Sequence, residues 1–289
     1  YGAFFALESE VHNDTGYAGG NNKTGSGAGD VYWKRKSIIG MKIPAGKVSF
    51  GLNKTTDKVL ASKYDMIGSN FAGFKTMSDY IAIGDRIDNG IFFESNKIDG
   101  LGGKFYLDHQ FGEVAGESSG NTRTGVGATF KVAGINGFVA YSEAKGSTGS
   151  SDWDQYGFGL SYKTDNKIVI KAQYWDLSAE SNADSTSGLG YSADGEGYSL
   201  SVMGPISKHT KIGLGFHSSE QSDNEAEKIE MTQLAMLHSF SKKVTGYVMV
   251  GNLDNGASAN HELHKKGFSS QPANGGDQDG FAVGLRIKF

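Results

Sequence analysis

The residues whose types and spacing could do chemistry are charged side chains in one long connection, not a nucleophile or a metal-ligating set. Lys54 to Ile87 carries Asp57, Asp65, Asp79 and Asp85 among Tyr64, Phe71, Phe74 and Tyr80, with no sustained helical or strand period. A loop of that length inside a compact domain is functional or disordered. This one holds too much apolar surface for a free tail, so it is expected to pack inside something. Fixed charges held across a water-filled gap orient and filter polar solutes without making or breaking a bond.

Catalytic patterns are weak by comparison. His261-Glu-Leu-His264 sets two histidines three apart, whereas the zinc-protease helix needs four. Gly102-Gly-Lys104 is followed by Phe105, which cannot serve a phosphate loop. Gly276-Asp-Gln-Asp-Gly280 offers too few oxygens at calcium-loop spacing. No serine sits in a nucleophile elbow, and the chain has no cysteine, so thiol chemistry, disulfides and thiolate metal sites are excluded. The expectation is a protein that is not an enzyme and needs no cofactor or metal.

Composition narrows the elements that must position the charged loop. Glycine supplies 43 of 289 residues and proline only 3, which suits many strands joined by tight turns. Apolar residues make up 37%, little for a thick two-sided core but enough for a closed sheet with one apolar and one wet face. The net charge of −4 gives no pull toward nucleic acid. No run of eighteen apolar residues marks a spanning helix, and no basic-then-apolar leader opens the chain.

Alternation at two-residue spacing predicts fourteen strands, near 1–11, 31–43, 47–53, 88–96, 102–111, 122–132, 136–145, 153–163, 167–177, 196–204, 210–217, 229–240, 244–253 and 278–289. Tyr156, Phe158, Leu160 and Tyr162 share one face of their strand, as do Phe281, Val283, Leu285, Ile287 and Phe289 of the last. A soluble sandwich also alternates, so the connections decide. Short turns near 44–46, 97–101, 133–135, 164–166, 205–209 and 241–243 alternate with long polar loops near 12–30, 54–87, 112–121, 146–152, 178–195, 218–228 and 254–277. That asymmetry predicts an all-β transmembrane antiparallel barrel, a single domain over 1–289 with its long loops at one end. Tyr141, Trp153, Tyr156, Tyr174, Trp175, Phe240, Tyr247 and Phe289 lie toward strand ends, where interfacial girdles belong.

Several segments resemble the general, trimeric porins of Gram-negative outer membranes. Ala3 to Glu10 with Asp14-Thr15-Gly16 resembles that family's third strand and the start of its second external loop; Lys34 to Met41 resembles the fourth strand, and Val48 to Asn53 the fifth. Lys63-Tyr-Asp65 resembles the start of the inward-folded third loop, and Gly84 to Ser95 its exit and the sixth strand. A terminal phenylalanine, here Phe289, is also typical. The family barrel has sixteen strands, so the resemblance implies a chain lacking the first two; a fourteen-stranded barrel is the alternative.

The resemblance implies a water-filled channel for passive diffusion of small hydrophilic solutes and ions, assembled as a homotrimer among outer-membrane lipid and lipopolysaccharide. It implies that 54–87 folds inward as the constriction, with Asp79 and Asp85 its foremost carboxylates and Asp57 and Asp65 nearer its start. Arg35 and Arg86 are the foremost wall cations, followed by Lys34, Lys36 and Lys54. Lys34-Arg35-Lys36 also fits a rim cluster on lipid phosphate. Leu52 stands where relatives carry a pore-facing arginine, which with the negative total charge leans the expectation toward cation preference. The competing readings are a solute-specific channel of the same fold, an enzyme built into such a barrel, and a soluble β-rich adhesin or lectin.

Overall fold

The computed structural model describes residues 1–9, 33–67, 71–73, 81, 83, 86–112, 120–146, 152–179, 194–221, 224–263 and 272–288. The chain opens with β1 (Gly2–Glu8), β2 (Lys36–Ile43), β3 (Gly46–Lys54), a helix α1 (Thr56–Tyr64), β4 (Arg86–Ser95) and β5 (Phe105–Gln110). It continues with β6 (Thr122–Val132), β7 (Ile135–Lys145), β8 (Trp153–Lys163), β9 (Val169–Ala179) and β10 (Gly195–Pro205). The last four strands are β11 (Thr210–Gln221), β12 (Asn224–Ser239), β13 (Val244–Asn255) and β14 (Gln278–Ile287). All fourteen expected strands are present. Each pairs antiparallel with the next, and among the described residues no ladder joins β1 to β14.

The two faces of this sheet reverse the pattern of a water-soluble protein. Along β8, Trp153, Gln155, Gly157 and Gly159 are buried, while Tyr156, Phe158 and Leu160 are each almost half exposed. On β14, Phe281 is 78% exposed and Val283 67%. Apolar side chains therefore cover the outside, and Gln155, Gln173, Ser199, His217 and Gln233 are buried on the inside. A contiguous apolar band of this kind is untenable in water and is what a lipid-facing strand requires. Ladder hydrogen bonds satisfy the backbone within the sheet, the condition for crossing a bilayer as strands.

The buried core is enclosed by the sheet. Leu60, Ala61 and Tyr64 of α1 pack with Ile81 and Ile83 onto inward residues Phe138 of β7 and Trp175 of β9. The rings of Tyr64 and Phe138 lie 4.7 Å apart, and those of Phe138 and Trp175 5.5 Å apart. Trp153 and Trp175 consequently face inward and are not part of an interfacial girdle, whereas Tyr141, Tyr156 and Phe240 are exposed. Phe289 lies outside the described residues. The turn from β6 to β7 is the two-residue pair Ala133-Gly134 with φ of +48° and +82°. A tight hairpin turn needs that left-handed pair, and the glycine meets it without strain.

The helix was not expected, since 54–87 shows no period. α1 buries Thr56, Asp57 and Lys58 as well as Leu60, Ala61 and Tyr64, so polar and apolar side chains share its packed surface. A hydrophobic stripe is the signal that periodicity reads, and burying the polar residues erases it.

The outward face yields a direct test. Phe158→Arg at the middle of β8 is expected to cost about 2–4 kcal/mol of folding free energy in lipid. Denaturant titration in phospholipid vesicles measures it, and an unchanged midpoint would remove Phe158 from the membrane.

Candidate pore constriction

β3 ends at Lys54 and the chain turns directly into α1. Thr55 caps the helix: its backbone is extended and its hydroxyl accepts the Lys58 N–H at 3.2 Å. Asp57 in the first turn and Lys63 in the last complement the helix dipole. The Asp65 N–H donates to the Ala61 carbonyl at 3.1 Å and closes the far end.

A buried ion-pair network fixes this helix to the inner wall. Arg123 of β6 donates through Nη2 to Asp57 Oδ2 at 2.6 Å and through Nη1 to Asp108 Oδ2 of β5. Ser142 Oγ of β7 adds a 2.7 Å bond to the same Asp57 oxygen. Asp108 Oδ1 accepts the Thr56 N–H at 2.5 Å, so a strand carboxylate satisfies one of the helix's open first-turn donors. Arg123 is 2% exposed and Asp57 fully buried. Burial pushes the Asp57 carboxyl above the usual carboxylate range, against the pull of Arg123 and Ser142. Burial also pushes the Tyr64 hydroxyl up to about 12, so it stays neutral. Gly127 of β6 lets the helix lie flat on the wall: a Cβ there would meet Leu60 Cδ1 at 2.5 Å and Thr56 Cγ2 at 2.9 Å.

Beyond α1, wall side chains hold the carbonyls of described residues of the segment. Lys171 Nζ of β9 donates to the Asp65 carbonyl at 2.6 Å, Gln233 Nε2 of β12 to that of Phe71 at 2.6 Å, and Arg286 Nη2 of β14 to that of Ile67 at 3.4 Å. The opposite side, along β1 to β5, stays open as a cavity of about 250 Å³ lined by Lys36, Lys47, Lys54, Phe92, Glu94 and Tyr106. Glu94 is ion-paired with Lys104. Lys63, exposed on α1, donates to Tyr106 Oη at 2.9 Å.

The expected site residues therefore divide. Lys36 and Lys54 line the cavity. Asp57 and Asp65 are buried against the wall and do not face open water. Arg35 and Arg86 meet at the long-loop ends of β2 and β4: Arg35 Nε donates to Glu8 Oε1 at 2.6 Å, and Arg86 Nε to the Arg35 carbonyl. Lys34 is exposed just before β2. Asp79, Asp85 and His264 lie outside the described residues. Leu52 pairs with Ser37, on the outward face shared with Ile39 and Phe50, beside a bulge at Gly51 to Asn53. It is therefore not a pore-wall position that has lost its cation.

Sequence reasoning passed over Arg123, Lys47, Lys63 and Tyr106. A signal existed for Arg123, which shares a strand face with Gly125 and Gly127 while Val126 points the other way. Among the described residues no group of three or more histidines and carboxylates could hold a metal ion.

A transmembrane antiparallel barrel with a charged, helix-bearing segment folded against its inner wall is the architecture of an outer-membrane channel. The chain belongs to the Gram-negative porin family, whose model matches residues 1–258. It is an outer-membrane channel for passive diffusion of small hydrophilic solutes. The anion-selective porin from Comamonas acidovorans has a similar structure, with a TM-score of 0.79 at 18% identity over 99% of this chain and 84% of that one. OmpT of Vibrio cholerae in its trimer form gives a TM-score of 0.64 at 15% identity, covering 90% and 82%. Salmonella typhi OmpF, in complex with daunomycin, gives 0.62 at 15%, covering 87% and 77%. At these identities the likeness is one of fold. No curated protein matches the chain significantly.

Removing one partner of a buried ion pair strands a charge and costs about 3–5 kcal/mol. Arg123→Ala is accordingly expected to detach α1, exposing the 56–67 segment to trypsin in the folded barrel. Arg123→Lys keeps the charge but not the fork that holds both carboxylates, and should give an intermediate cleavage rate. Cleavage no faster than wild type in Arg123→Ala would contradict the anchoring role.

Proposed function

We propose that solutes pass along the β1–β5 side of the barrel, between that wall and α1, that 54–87 is the constriction, and that the passage favours small anions. The observation that carries this reading is the lining: Lys36, Lys47 and Lys54 face the cavity, and its one described carboxylate, Glu94, is neutralised by Lys104. Lysines lining a gap no wider than the Debye length, about 8 Å in physiological salt, remain only partly screened from a passing ion. Low-dielectric walls concentrate their field, so anions are enriched and cations depleted where the channel is narrowest. This replaces the cation preference leaned toward above. Leu52 faces outward, and a whole-chain charge of −4 includes residues outside the passage.

Transport is the whole activity on this reading, with no catalytic step, and 1–289 acts as one barrel unit. The fold shared with OmpT in its trimer form supports assembly as a homotrimer, set among lipid and lipopolysaccharide. A solute-specific channel is the second reading, favoured by Phe4, Phe92 and Tyr106 beside the lysines, which suit an anion with an apolar body. Current that saturates or is blocked as such an anion rises would mark the specific channel; a diffusion pore stays ohmic.

Reversal potential under a salt gradient tests the selectivity. Anion preference is expected. One unit charge is worth about 0.5 kcal/mol at ~8 Å in water before screening, so Lys47→Glu should lower the anion-to-cation permeability ratio several-fold. Cation preference in the unaltered protein would sink the proposal.

A further inference from the structure

The inner face of β12 and β13 departs from what a water-filled lumen requires. Interior positions of a diffusion barrel are polar, yet Ile229, Met231 and Leu253 face inward and are at most 1% exposed. Two loops cover them. Met66, Phe71 and Ala72 come from the constriction segment, and Ala259 and Leu263 from the connection between β13 and β14. The two loops also bond directly, the Ala72 N–H donating to the Leu263 carbonyl at 3.0 Å.

The second loop is held in place by Asn255, at the end of β13. Its Nδ2 donates to the His261 carbonyl at 3.1 Å and the Gly276 carbonyl at 2.6 Å, while its Oδ1 accepts the His261 N–H at 2.9 Å. Gln278 Oε1 of β14 accepts the Leu263 N–H at 2.8 Å. Ala72 sits at φ +43°, a left-handed conformation costly for alanine and retained only where surroundings over-determine it. The wall is cut away to receive it: a Cβ on Gly251 would fall 2.4 Å from the Ala72 Cβ.

We propose that residues 256–263, at the start of the β13–β14 connection, form a second inward-folded element that latches the constriction segment, with Asn255 and Leu263 as positioning residues that set the width of the passage. The constriction segment is fixed by Arg123 at its start and by this latch further along. A dry apolar contact between the loops excludes water from the β12–β14 side and confines flow to the remaining cross-section. Loosening the latch lets Phe71 and Ala72 leave the wall and changes that cross-section, while the barrel ladder itself is untouched. The inference holds whatever the sign of the charge selectivity, which reversal potential tests separately.

The chain has no cysteine, so Ala72→Cys with Leu263→Cys is a clean cross-linking pair. In the folded, detergent-purified protein this pair is expected to form a disulfide on mild oxidation, and single-channel conductance is expected to match wild type only while that bond is formed and to rise on reduction, because Leu263 then no longer packs in the latch. Asn255→Ala alone should raise conductance by roughly half, as open cross-section grows, and add open-channel noise. Asn255→Ala combined with the cysteine pair should return to wild-type conductance when oxidised and lose it again when reduced, a rescue that a merely structural role for Asn255 would not give. Failure of the pair to cross-link in the folded barrel would overturn the proposal. So would Asn255→Ala channels with wild-type conductance and noise, or an increase that oxidation does not reverse.

Discussion

The fork of Arg123 between Asp57 and Asp108 is the interaction on which the interior depends. It joins α1 to two strands, and through the Thr56 N–H it also caps the helix that it anchors. Such a buried set adds little net free energy merely by existing, because desolvating three charges offsets most of their attraction. Its consequence is placement. Once Asp57 is pinned, α1 must lie along β5 to β9, and Leu60, Ala61 and Tyr64 drop onto Phe138 and Trp175.

From that placement the barrel divides into two unlike halves. On the β6 to β14 side described residues of 54–87 and of 256–263 pack against the inner wall, giving two dry clusters, one around Leu60 and one around Phe71, Ile229 and Leu253. On the β1 to β5 side the wall is open and carries lysines. The outside is uniformly apolar, since lipid makes the same demand of every strand. On the proposed reading, a channel narrow enough to discriminate arises from an ordinary porin-type sheet by filling part of its interior with its own loops.

Much of the sheet was legible because its signal is local and repeated. Tyr156, Phe158 and Leu160 alternate with glycines so regularly that β8 was placed to the residue, and the long and short connections told which strand ends lie together. The 54–87 connection was legible as a segment packed inside the sheet but not in its parts. α1 buries Asp57 and Lys58 beside Leu60, so no amphipathic stripe survives, although Thr55, Asp57 and Lys63 mark its ends. Arg123 was passed over because its importance comes from partners 15 and 66 residues away. Leu52 was misread because the family resemblance set it at a pore-facing position, whereas plain alternation puts it with Val48 and Phe50 on the lipid side, opposite Ser37. The aromatic pattern failed in the same way: Trp153 and Trp175 have girdle-like chemistry, and only register shows that they point inward.

The central claim is that flow follows the lysine-bearing wall and is excluded from the loop-covered one. Single-cysteine substitution in this cysteine-free chain, with a membrane-impermeant thiol reagent applied during current recording, tests it most directly. Cysteines replacing Lys47 and Lys54 are predicted to react promptly and reduce the current, while cysteines replacing Leu60 and Ile229 remain unmodified. Rapid labelling and block at Leu60 or Ile229, with Lys47 and Lys54 protected, would contradict the account.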